Sequence, residues 1–420
     1  MNILEENIKQ INGPINVIRM EGNISGIKKI IYLFMDFHLS LNSQTECSNI
    51  YSEEIQYFLA KSFKNISKGD IIYDFFLEIL PSKISKQFIS DKKNIYFFEV
   101  LKFFRKVFNY DSNKNLVHVS DKLHNVRLHY VDIRDYFEFN FFDDLEKYTG
   151  QINELWINQN IDINVLQEVI NYSNDLKNYC KYLSNLILSD KIKSVKKGRI
   201  KLSTDKYYEE THNLTPDEFN KYIIDDIIYL INKMFNSYEN KNVKDKISKQ
   251  IDVLVDYLQQ IISTCENINN NYSEIINLVK KTDGKLVRQE IIGDYNYGLS
   301  PEKIKSILTD IHYDIYKLYM QMLMYFTRFM DIYFLRRFLD KSYITNAIVY
   351  AGAYHSMVYL EILTRDFGFK ITHISYPKDV NINELNDQIQ NLTANELSKI
   401  FYPNELLQCS DVTHFPDNFL

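Results

Sequence analysis

Four short runs of almost unbroken apolar residues, at 29–35, 71–78, 126–132 and 346–351, constrain this chain more than any other feature. Runs of that length without polar alternation suit strands covered on both faces, the habit of a parallel sheet. Between the first three lie segments of helical spacing, "YSEEIQYFLAKSF" at 51–63 and "IYFFEVLKFFRKVF" at 95–108, so the opening third reads as βαβ units. The fourth run comes only after about 200 residues of helical character. The expected fold class is therefore α/β: a mainly parallel sheet with flanking helices, interrupted by a long all-helical insertion. The expected division is an N-terminal part of the α/β domain at 1–142, a helical insertion or cap at 143–342, and the C-terminal part of the α/β domain at 343–420.

The middle segment carries explicit helix signals. Thr215, Pro216 and Glu218 form a capping box with proline at the first helical position, and Ser300-Pro301-Glu302 repeats the start signal. After Ser300, the residues Ile304, Ile307, Leu308, Ile311, Ile315, Leu318 and Met322 make one apolar stripe, which must bury against other helices. The basic run "KIKSVKKGRIK" at 191–201 reads as a solvated loop between helices, a weak nucleic-acid signal.

Composition narrows the function classes. The formal charge is -6, which gives no global attraction to nucleic acid or anionic lipid. With 45% hydrophobic residues and only 11 Gly and 7 Pro, the chain can fill a sizeable core and favours long helices over glycine-built loops. Cys47, Cys180, Cys265 and Cys409 lie far apart with no CxxC pair, so neither a zinc knuckle nor a disulfide framework is signalled, and a reducing compartment is expected. Neither a signal-peptide core nor an apolar run of membrane-spanning length is present. A soluble, cytoplasmic protein is expected, with no membrane partner; for a viral chain that means host cytoplasm or virion.

Charges stand where the apolar runs end: Asp36 with His38, Glu78, and Asp132 with Arg134. In open α/β sheets ligands gather beyond the carboxyl ends of strands, so these are better functional candidates than charges elsewhere. His355 stands just past the fourth run, after Gly352, whose missing side chain lets the backbone turn closely. Taken singly, each charge also fits a solvated strand end. Within "LHYVDIRDYF", alternation puts Asp132 and Arg134 on one face and His129 on the other; the pair is either a surface ion pair or a substrate-binding pair. His118, His124, His212, His312, His373 and His414 show no ligand spacing.

"IVYAGAYHSMVYLEILTRDFGFKITHI" resembles the closing motif of the TraB and Tiki group: Gly352 and His355 after a strand, a helix, Gly368 and another strand. "KKIIYLFMDFHLS" resembles that group's first Gly-x-x-His and the Gly-Glu-x-His of the erythromycin-esterase and ChaN-like proteins. His38 matches, while Met35 replaces the glycine and Asp36 stands in place of Glu. The resemblance implies an acid at Glu78 and an arginine before the last strand, at Arg328, with Arg336 and Arg337 as rivals. It covers about 60 residues of scattered motif and leaves the helical middle unexplained. The chain as a whole resembles uncharacterised proteins of large DNA viruses, which its Asn-, Ile-, Lys- and Tyr-rich usage suits.

Two imidazoles and one or two carboxylates can hold a divalent ion with a position open for water, and a nearby arginine can stabilise an oxyanion. The resemblance implies a metal-assisted hydrolase of a peptide or ester. His38, Glu78, His355 and Arg328 are the candidate catalytic residues. His38, Glu78, His355 and Asp36 are the candidate metal ligands, and Asp132 and Arg134 the candidate substrate-binding residues. The competing expectation is an inactive binding or structural protein, which Met35 favours. A third, haem binding as in ChaN-like proteins, has no independent signal.

Overall fold

A computed structural model describes residues 9–38, 45–66, 69–78, 95–108, 117–133, 140–188, 230–232, 234–281, 300–405 and 407–419. The chain opens with β1 (Gln10–Asn12), β2 (Asn16–Ile24) and β3 (Ile27–Asp36), then β4 (Glu53–Glu54), α1 (Ile55–Ile66), β5 (Tyr73–Leu77), α2 (Ile95–Val107), β6 (Val117–Ser120) and β7 (Leu123–Tyr130). Four long helices follow: α3 (Asn140–Asn158), α4 (Ile163–Leu188), α5 (Lys241–Lys281) and α6 (Pro301–Asp340). The chain then closes with β8 (Asn346–Gly352), α7 (Ala353–Phe367), β9 (Lys370–Ile374), α8 (Ile382–Ile389), α9 (Ala394–Phe401) and β10 (Cys409–Asp411).

The large sheet has the order β6-β7-β5-β8-β3-β2-β9, and a small one has the order β10-β1-β4. All four apolar runs lie side by side, β7, β5, β8 and β3, and pair in parallel. The expected mainly parallel sheet is nonetheless wrong. The pairings of β2 with β3, β2 with β9 and β6 with β7 are antiparallel, so the sheet is mixed, and helix outweighs it. The cause is local. Ser25 and Gly26 both take positive φ, 53° and 87°, which makes a two-residue hairpin turn whose twist matches the strands, and such a turn joins only antiparallel neighbours. The short loop between Ser120 and Leu123 likewise joins β6 and β7 as antiparallel neighbours.

Alternation along the buried strands fills two cores. Ile31, Leu33, Met35, Phe76, Val349 and Ala351 face the long helices and α7. Tyr32, Phe34, Phe75, Leu77, Ile348 and Tyr350 face α1, α2 and the C-terminal tail at Val412 and Phe419. Both faces are covered, which is why these strands read as unbroken apolar runs.

Between residues 143 and 342 the described residues form helices and no strand. The capping box at Thr215 and the basic run at 191–201 lie outside the described residues. The second start signal is realised: Ser300 caps α6, accepting from the Lys303 N–H at 3.2 Å, with proline in the first turn. Every member of the stripe from Ile304 to Met322 is buried. Farther along, α6 reaches the sheet, where Phe334 meets Phe76 edge-on at 4.9 Å. Its C-terminal end is held by Lys29 of β3, a fully buried amine that donates to the carbonyls of Phe338, Lys341 and Ile344. Burial lowers the Lys29 pKa to about 8 against the pull of Asp74 and Asp340.

Cysteine usage is also corrected. Cys47 and Cys409 are joined by a disulfide across 362 residues, a pairing that the fold brings together and that no spacing could announce. Cys180 and Cys265 are buried and free. Among the described residues no helix is long and apolar enough to cross a membrane.

Candidate functional site

The register of three parallel strands builds the site. Asp36 at the end of β3 lies opposite Gly352 at the end of β8, and Leu77 at the end of β5 lies opposite Tyr350. The segments that carry His38, Glu78 and His355 therefore leave the sheet at one edge, the carboxyl ends of the strands. Glu78 extends the pairing by one residue, its N–H donating to the Tyr350 carbonyl at 3.1 Å.

Glu78 is the centre. Its Oε2 accepts the Gly352 N–H at 2.6 Å and lies 3.6 Å from His38 Nε2; its Oε1 lies 3.6 Å from His355 Nε2. Each imidazole is anchored on its other nitrogen by a buried carboxylate. His38 Nδ1 is 2.7 Å from Asp36 Oδ1, and His355 Nδ1 is 2.6 Å from Asp331 Oδ1 on α6. With Nδ1–H donating to the carboxylate, each ring is held so that Nε2 faces Glu78. The result is two Asp–His pairs converging on the two oxygens of one glutamate.

Local backbone chemistry fixes the His38 half. His38 takes a left-handed φ of 49°, uncommon for a residue other than glycine. Asp36 Oδ1 holds that turn by accepting the His38 backbone N–H at 2.7 Å as well as the ring, while its Oδ2 accepts the Tyr350 hydroxyl at 2.6 Å. Phe97 of α2 packs on the ring, centroids 4.3 Å apart. Burial alone would lower the His38 pKa, but Asp36 and Glu78 outweigh it and hold it up at about 10, so His38 is an imidazolium at neutral pH.

The other half is drier. Asp331 is fully buried, and burial raises its pKa although His355 and Arg328 pull it down. His355 sits in the first turn of α7, where Gly352 permits a close approach: a Cβ there would stand 3.1 Å from His38 Nε2 and 3.3 Å from Glu78 Oε2. His38 is the exposed member, with about a third of its side chain open, whereas Glu78 and His355 are almost closed off.

His38, Glu78 and His355 thus meet as a set. Asp36 stands behind His38, with one oxygen on His38 and the other on Tyr350. Arg328 is buried one turn before Asp331 on α6; it donates to Gln250 at 3.0 Å and acts on Asp331 and Tyr354 through its charge. Of its rivals, Arg336 donates to the Ser237 carbonyl and Arg337 acts through its charge on His129. Asp132 is buried and acts, with Asp331 and Glu78, on the Tyr359 phenol. Arg134 lies outside the described residues. His129 is a core residue: it bonds Asp74 at 2.5 Å and stacks on Phe76, and burial lowers its pKa to about 4. Sequence reasoning missed Asp331, whose signal was an acid inside the apolar helical run "YFTRFMDIYFL", and Tyr350, which reads simply as strand core.

For a metal, the donor chemistry of two imidazoles and a carboxylate is apt, and carboxylate-held imidazoles are what metal ligands usually are. The arrangement does not follow: among the described residues no three His, Cys, Asp or Glu side chains could hold a metal ion. Two cavities among the described residues lie elsewhere. One of about 280 Å³ sits between α5 and α6 around Tyr257 and Met320; another of about 240 Å³ sits beside Lys29.

The comparisons agree with a viral origin. The chain is similar along its whole length to three proteins of Acanthamoeba polyphaga mimivirus. Uncharacterized protein R706 is 35% identical over 425 residues, covering 99% of this chain and 98% of the relative. Uncharacterized protein R161 is 36% identical over 445 residues, covering all of both, and Uncharacterized protein R160 is 35% identical over 432 residues, covering 99% of both. No solved structure matches. Nothing in them supports the resemblance to the TraB and Tiki group. A family model matches residues 9–420, and the chain belongs to that family, the family of unknown function DUF5847.

Proposed function

We propose that the chain is a hydrolase of a peptide or ester whose reacting centre is the His38–Glu78–His355 cluster. The observation that carries this reading is that both imidazole Nε2 atoms face the same carboxylate at 3.6 Å while each Nδ1 is fixed by its own buried aspartate. A pair of titratable rings held in different environments at a strand mouth divides acid and base roles. His355, oriented by Asp331, takes the proton of an attacking water at Nε2. His38, an imidazolium on the open side, offers its Nε2–H to a developing oxyanion and gives that proton to the leaving group. The proton taken by His355 passes by way of Glu78 back to His38, which resets both rings. Glu78 balances the charge that moves between them.

A second reading has an observation of its own. Glu78 and His355 are nearly closed off from solvent, as in a polar network that only holds strand ends together, and this favours a binding or structural protein.

Purified protein assayed with chromogenic acetate and butyrate esters and a fluorogenic peptide library, beside His38→Ala and His355→Ala, separates the two. The hydrolase reading expects turnover that falls about 100-fold or more in each variant with the fold retained. Turnover equal in all three, or absent from the wild type, favours the network. Metal analysis runs alongside: a stoichiometric ion lost in both variants would contradict the metal-free reading.

A further inference from the structure

The His38 half of the site is connected to the disulfide through the small sheet. Downstream of His38 the chain reaches Cys47, bonded to Cys409 of β10 with Cα atoms 5.0 Å apart. There the Cys47 N–H donates to Asn12 Oδ1 at 2.8 Å, the Gln408 N–H to the Thr45 carbonyl at 3.0 Å, and the Gly13 N–H to the Gln408 carbonyl at 2.9 Å, so the bond locks into the small sheet. That sheet abuts the site: a Cβ on Gly13 would lie 3.7 Å from the Tyr350 hydroxyl, the group that donates to Asp36. Glu46, next to Cys47, acts through its charge on Tyr96, the chain neighbour of the Phe97 that packs on His38. The Asp331–His355 half is anchored on α6 and α7.

We propose that the Cys47–Cys409 disulfide is a redox latch on the His38 half of the site: closed, it keeps His38 turned onto Glu78, and its reduction releases that half while the His355 half stays in place. This deepens the hydrolase reading and rests on it for its consequence, the gating of turnover. Both cysteines are half-buried, so a soluble dithiol reductant reaches the bond. One of its thiolates attacks a cysteine sulfur, forming a mixed disulfide and expelling the other cysteine as thiolate. The reductant's second thiol then displaces the first cysteine. The reductant ends as a disulfide, and two electrons and two protons end on Cys47 and Cys409. Cys180 and Cys265 do not compete, since burial pushes both thiols up, Cys265 to about 12.

The test compares oxidised full-length protein, the same protein after dithiothreitol, and a Cys47→Ser/Cys409→Ser double variant. Thiol titration after denaturation, far-UV circular dichroism, hydrogen exchange by peptide mapping and ester turnover are read on each. The latch expects two thiols rising to four on reduction, an unchanged helical spectrum, exchange in peptides covering 30–38 faster by about tenfold or more, and exchange at 352–358 unchanged. The double variant should match the reduced protein. If exchange responds in this way while no state turns over any ester, the latch stands and the hydrolase reading fails. Four thiols in the oxidised preparation, exchange at 30–38 that ignores reduction, or a rise across every peptide as in a merely structural crosslink would each overturn the latch.

Discussion

His38 concentrates the account at the residue scale, because it is an imidazolium facing two carboxylates on the exposed side of a buried site. Its folded pKa of about 10 lies above the 6.5 of a free imidazole. The charged form therefore contributes stability that is fully present below about pH 6.5 and is lost as pH rises through about 10. Melting temperatures of the wild type and His38→Gln from pH 6 to 10.5 should converge across that window; a difference independent of pH would contradict the pairing. Gly352 supplies a second residue-scale test. Its φ of -53° suits any residue, so Gly352→Ala introduces no backbone strain and only presses a methyl toward His38 and Glu78. Turnover should fall about tenfold or more with little change in melting temperature; equal turnover would mean the close approach is unused. His38, Glu78 and His355 were legible because each follows an apolar strand. Asp331 was not, since an acid on a long helix gains its role only from where that helix lands. Met35, which departs from the resembled motif, has its side chain buried in the helix-side core.

The elements were read best where burial is two-sided. β3, β5, β7 and β8 show as unbroken apolar runs because both faces are covered, and α6 shows through its cap and stripe. β2 was missed because Arg19 and Glu21 interrupt "NVIRMEGNI"; Arg19 bonds Glu21 and Thr372, which satisfies a charge within a buried strand. That omission produced the wrong sheet type, and the Ser25-Gly26 turn was the signal that would have corrected it. The junction of α6 with β3 gives the element-scale prediction. Lys29→Met keeps the apolar stem but strips donors from the carbonyls of Phe338, Lys341 and Ile344, at and just beyond the end of α6, and should destabilise by about 3 kcal/mol in urea unfolding. A loss under about 0.5 kcal/mol would mean that those carbonyls find other partners.

For the whole molecule, the decisive fact is that β8, from the far end of the chain, is inserted between β3 and β5 from its beginning. The sheet and the site exist only when both ends are present. A chain ending at residue 343 should therefore lack cooperative unfolding and dispersed methyl resonances, whereas a well-folded fragment would contradict this topology. The same insertion explains why function was only partly readable: His38, Glu78 and His355 were visible as strand-mouth residues, but the Asp331 anchor and the way four separate segments, at 36–38, 78, 331 and 355, converge come only from the fold. The central claim is that these segments act as one unit, and a double-mutant cycle on turnover tests it most directly. Groups that work as a unit are strongly non-additive, so His38→Ala/His355→Ala should be no slower than the slower single variant, to within about threefold. Losses that multiply, or a single variant that keeps the wild-type rate, would contradict the account.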